Sequence, residues 1–96
     1  EMQPPPTRPI VLVVDDDEMI RRLVRLSLGA SYEVVEAADG HEALAQLDAH
    51  DVEVVVIDVM MPGMTGIEAV PRLLAKARGP LHVLLLTALD DQEHRN

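Results

Sequence analysis

Short aliphatic runs alternate with helical periodicity along this chain. Residues 10–14 read Ile-Val-Leu-Val-Val, residues 52–57 are apolar except for Glu53, and residues 81–86 are apolar except for His82. Runs of this length, bounded by turn residues, predict strands buried on both faces, the habit of parallel sheets. Residues 32–37 are more polar and predict a strand near a sheet edge. Between the first two strands, Met19, Ile20, Leu23, Val24, Leu26 and Leu28 recur at helical spacing with Arg21, Arg22 and Arg25 on the other side. Asp16 or Asp17 caps this helix and Gly29 ends it. Asp39-Gly40-His41-Glu42 and Thr65-Gly66-Ile67-Glu68 have the capping-box pattern. The first opens a helix over about 40–49 with Ala43, Leu44 and Leu47 inward. The second opens a helix with Ile67, Val70, Leu73 and Leu74 inward, ended by Gly79-Pro80. Pro71 within it predicts a kink or an irregular first turn. A further helix begins near Ala88.

Strand and helix alternate three times, and a fourth strand follows. This predicts an α/β, doubly wound parallel sheet with right-handed crossovers and strand order 2-1-3-4. At 96 residues the chain is long enough for one domain only. Residues 1–9 hold four of the seven prolines and read as a Pro-rich leader or tag remnant; the domain occupies 10–96.

The strands end in chemistry. The first runs into Asp15-Asp16-Asp17-Glu18, the third ends at Asp58 before a Pro/Gly-rich loop, and the fourth ends at Thr87. In open α/β sheets ligands bind at the carboxyl ends of the strands. Capping and the helix dipole account for one or two of the four consecutive acids. Like charges brought together resist ionisation unless a cation neutralises them, so Asp15 and Asp16 facing Asp58 also point to a divalent-metal site. Thr87 by itself reads as an ordinary strand-end threonine, Tyr32 as a packing residue, and the four histidines lack metal-ligand spacing.

Seventeen acidic against eight basic residues give a net charge of −9, which argues against direct contact with nucleic acid. No apolar run is long enough to cross a membrane. With no cysteine and no signal-peptide pattern, the expected location is the cytoplasm.

Val13-Val14-Asp15-Asp16, the segment from Asp58 through Met60, Met61, Pro62 and Gly63 to Gly66, and Leu86-Thr87-Ala88 together resemble the receiver domains of two-component response regulators. The resemblance covers nearly all of 10–96 and implies the flavodoxin-like receiver fold. It implies that Asp58 is the phosphoacceptor, phosphorylated by a histidine kinase or phosphotransfer protein. It also implies a Mg²⁺ cofactor held directly by Asp16, Asp58 and the Met60 backbone carbonyl, and through water by Asp15. Thr87 is then a hydrogen-bond donor to the phosphoryl group. Met60 and Leu89, both apolar, are expected to flank that group and impede the hydrolytic water.

The family pattern continues through a fourth helix, a fifth strand with a lysine at its end and an aromatic switch residue within it, and a fifth helix. None of these is in this sequence, where Lys76 is the only lysine. The reading is therefore of an incomplete receiver ending at the start of its fourth helix. Its fourth strand is expected to form an apolar edge open to self-association, to a swapped segment or to further chain. The principal reading is not of an enzyme. One alternative is a receiver-like scaffold that binds partners without phosphoryl transfer. Another is a haloacid-dehalogenase-like phosphatase, for which Asp15-Asp16-Asp17-Glu18-Met19 lacks the expected Asp-x-Asp-x-Thr threonine.

Overall fold

The computed structural model describes residues 8–61 and 63–86. The aliphatic runs form four parallel strands, β1 (Ile10–Val14), β2 (Glu33–Ala37), β3 (Val52–Asp58) and β4 (His82–Leu86), in the order β2-β1-β3-β4. Three helices alternate with them: α1 (Glu18–Leu28), α2 (Gly40–Ala49) and α3 (Gly66–Lys76). The expected order and the edge position of β2 are both observed. Glu53, the polar interruption in the third run, is the residue left over where the β1–β3 register shifts between Ile10 and Val11.

Alternation along each strand divides the core. Leu12, Val14, Val55 and Ile57 face Ala43 and Leu47 of α2 and Ala69 and Leu73 of α3, in one buried cluster that also takes in Met61 and Met64. Leu73 is fully buried. The inward arc of α3 differs from the expectation. Gly66, Ala69 and Leu73 are buried and Val70 is half-buried, whereas Ile67 is 61% exposed and Leu74 is 49% exposed. Gly66 lets the start of the helix close onto the end of β3, Ala69 and Leu73 join the core, and Ile67 and Leu74 flank the contact. Pro71 removes one backbone hydrogen bond, but the helix continues to Lys76, and its first turn is regular. There Glu68 N–H donates to Thr65 Oγ1 at 3.1 Å and Thr65 N–H donates to Glu68 Oε1 at 3.0 Å, the reciprocal box. In α2 only half of that arrangement forms. Glu42 N–H donates to Asp39, but the Glu42 carboxylate reaches back to the N–H of Ala38.

On the opposite face α1 packs against β1 and β2. Ile20, Val24 and Leu28 are half-buried, while Met19, Leu23 and Leu26 face solvent. Of the arginines on the other side, Arg22 is exposed, whereas Arg21 and Arg25 turn back toward Glu36 of β2, at 3.0 and 2.7 Å. Along β4, Leu84, Leu85 and Leu86 are exposed, the apolar edge that the sequence leads one to expect. Lys76 lies on α3 and pairs with Asp48 at 3.1 Å.

Two measurements check this packing. Leu73→Ala should cost about 2–5 kcal/mol in denaturant unfolding, and Ile67→Ala should stay within about 0.5 kcal/mol. The hydrogen bonds from Arg25 and Arg21 hold the Glu36 carboxyl below the ordinary glutamate value of 4.5. A lowered folded-state value means stability that is full above 4.5 and lost as pH falls through the lowered value. Glu36→Gln should therefore cost about 1 kcal/mol at pH 7, with the difference from wild type closing in acid.

Candidate acidic site

The register brings the acids together. Val14 of β1 lies opposite Ile57 of β3, so Asp15 and Asp58 each follow a paired residue by one position. Carboxylate oxygens of Asp15, Asp16 and Asp58 lie within 4.8 Å of one another. These three, chosen from the sequence as metal ligands, are the one such cluster of acids and histidines among the described residues.

Each acid is held differently. Asp15 is 6% exposed. Its N–H donates to the Ala37 carbonyl at 3.1 Å, its own carbonyl accepts from Arg21 Nη1 at 2.8 Å, and its Oδ1 accepts from Asp17 N–H at 2.9 Å. Asp17, not Asp16, is the N-cap of α1, with Oδ1 accepting from Met19 N–H at 2.9 Å. That leaves Asp16 exposed and free to turn into the cluster. Asp58 is half-buried, and its Oδ1 accepts from Met60 N–H at 3.0 Å. Its Oδ2 takes no hydrogen bond among the described residues. Burial pushes the Asp15 carboxyl above the ordinary aspartate value, and the charges of Asp58, Asp16 and Asp17 push the same way against the Asp17 hydrogen bond.

The loop after Asp58 is pinned at both ends. Val59 N–H donates to the Leu86 carbonyl at 3.0 Å, and Gly66 N–H donates to the Val59 carbonyl at 2.9 Å. A Cβ on Gly66 would collide with the Asp58 carbonyl and come within 2.9 Å of Val59 Cα. Glycine here lets the start of α3 close onto the end of β3. Its role beyond the cap motif, like the reach of Arg21 to Asp15, was missed in the sequence. The Met60 side chain is exposed beside the site; Thr87 and Leu89 lie outside the described residues.

The donor set suits a small hard cation. Mg²⁺ takes oxygen ligands at about 2.1 Å and keeps several waters, so two or three carboxylates spaced as here are within its reach.

Known proteins resemble this chain along nearly all of its length. The model of the family described as "Response regulator receiver domain" matches residues 11–96. The alkaline phosphatase synthesis transcriptional regulatory protein PhoP of Bacillus subtilis is 40% identical over 83 residues, 85% of this chain and 34% of that protein. The response regulator MprA of Mycolicibacterium vanbaalenii is 43% identical over 86 residues, 88% of this chain and 37% of that protein. The chain thus spans about a third of the length of the curated relatives it matches. The chemotaxis protein CheY4 of Vibrio cholerae superposes with a TM-score of 0.77 at 39% identity, over 93% of this chain and 76% of that one. Given that match along nearly the whole sequence, and the same parallel sheet beneath it, the chain belongs to the receiver domains of two-component response regulators.

Proposed function

We propose that this domain accepts a phosphoryl group on Asp58 in a Mg²⁺-dependent transfer from a histidine kinase or phosphotransfer protein. The observation that carries the reading is the meeting of three carboxylates at the ends of β1 and β3, where Asp58 Oδ2 takes no hydrogen bond among the described residues.

Asp58 Oδ2 attacks phosphorus, a phosphorus–oxygen bond forms, and the bond to the donor's histidine nitrogen breaks; that nitrogen keeps the electron pair. An acyl phosphate on Asp58 results. A carboxylate attacking an already anionic donor is repelled, and Mg²⁺ would supply the charge that screens the two. Asp16, Asp58 and the Met60 carbonyl would hold the ion, and Asp15 would reach it through water. The hydrogen bond from Met60 N–H holds Asp58 Oδ1 and leaves Oδ2 for the incoming phosphoryl group. Thr87 is the proposed hydrogen-bond donor to the transferred group. The domain is then the accepting party in the transfer and not a hydrolase. Its net charge of −9 favours protein partners over nucleic acid, and no helix among the described residues is long and apolar enough to cross a membrane.

In metal-free buffer Asp15→Asn should melt above wild type, because it removes a buried charge that faces three others. Millimolar Mg²⁺ should raise the melting temperature of wild type and leave that of Asp16→Asn unmoved, since a ligand that binds only the folded state stabilises it. Intact mass after incubation with Mg²⁺ and acetyl phosphate should show one phosphoryl adduct, absent without Mg²⁺ and absent in Asp58→Asn. Mg²⁺ binding without an adduct would instead favour the scaffold reading.

A further inference from the structure

Arg21 is the most enclosed of the three arginines on α1. Its side chain is 17% exposed, against 67% for Arg22 and 50% for Arg25. Its guanidinium serves two elements. Nε donates to Glu36 Oε1 on β2 at 3.0 Å, and Nη1 donates to the Asp15 carbonyl at 2.8 Å. Arg25, one turn later, grips the other oxygen of the same carboxylate, Glu36 Oε2, at 2.7 Å, without reaching Asp15. Glu36 is thereby fixed from two sides, and it holds the Arg21 fork in turn.

The Asp15 carbonyl belongs to the peptide that joins Asp15 to Asp16. Since the Asp15 N–H is already tied to Ala37 of β2, anchoring the carbonyl fixes the backbone on both sides of Asp15 Cα. The direction in which the chain leaves for Asp16 is then set. Asp16 is exposed, so packing around its side chain does not orient it, and its backbone does. We infer that Arg21 is a positioning residue of the metal site, holding Asp15 and Asp16 in a ligating arrangement through the Asp15 carbonyl.

This rests on the proposed reading of those acids as Mg²⁺ ligands. It also makes a prediction opposite in sign to simple electrostatics. Removing a cation from the neighbourhood of a cation site strengthens metal binding if charge alone matters. Removing an anchor weakens it.

The test is calorimetric titration of the metal-free protein with Mg²⁺ alone, with circular dichroism to verify folding. Groups that orient metal ligands typically change affinity by tenfold or more, so Arg21→Ala should raise the Mg²⁺ Kd about tenfold. Arg25→Ala loses an ion pair to the same Glu36 and should leave the Kd unchanged, although both variants lose stability. Should Arg21→Ala not fold, Arg21→Lys makes the same comparison, because an ammonium beside Glu36 cannot reproduce the planar fork to both acceptors. A folded Arg21 variant whose Kd is unchanged, improved, or weakened only as much as that of Arg25→Ala would overturn the inference. A wild-type protein that binds no Mg²⁺ would instead overturn the proposed function beneath it.

Discussion

The pairing of β1 with β3 is the constraint on which the rest of this structure depends. Side chains alternate between the two faces of a strand, so a slip of one residue in that register would turn Leu12 and Val14 away from α2 and α3. It would also part Asp15 from Asp58. The register that fills the core is therefore the one that gathers the carboxylates, and the hydrophobic pattern specifies the site without any attraction between its members. The one shift in this ladder, at Ile10 and Val11, lies at the far end of the strands. There Glu53 is set aside without disturbing the alignment at Val14 and Ile57.

Gathering the acids is unfavourable by itself. Asp15 is buried among three other carboxylates, and the surrounding structure offers hydrogen bonds more than opposite charge: backbone N–H groups from Asp17 and Met60 reach Asp15 and Asp58. The positive charge of Arg21 is spent on Glu36 and on the Asp15 carbonyl. Such a site is stable enough to fold and still underneutralised, the condition under which a divalent cation binds with most effect.

What was legible in the sequence was whatever depends on local pattern. Aliphatic runs, unbroken in β1 and interrupted by one polar residue each in β3 and β4, marked those strands, Thr65 with Glu68 marked the start of α3, and acids immediately following β1 and ending β3 marked the site. The inward face of α3 was legible only in part: Leu73 is buried as expected and Val70 half-buried, but Ile67 and Leu74 are exposed while Gly66 and Ala69 are buried. Gly66 is inward because the start of the helix closes onto the backbone after β3, a tertiary demand that hydrophobicity does not encode. The partner of Arg21 was not legible for a related reason. A basic residue in a helix reads as solvated until the anion that meets it is known, and Glu36 lies fifteen residues away. Gly66 carries a signal, a glycine directly after an N-cap threonine, but that signal does not say what backbone it approaches.

The geometry also ties the site to β4. Val59, next after Asp58, donates its N–H to the Leu86 carbonyl, and Asp58 itself pairs with Leu86 in the ladder. Asp15 is anchored to β2 and α1, on the other side of β1, by interactions that do not involve β4. A change in charge or bonding at Asp58 is therefore felt on both sides of β3, by the acid pair that follows β1 and, through Val59, by the Leu86 carbonyl. Both contacts follow from strand order, which sets the strand that ends in Asp58 between β1 and β4.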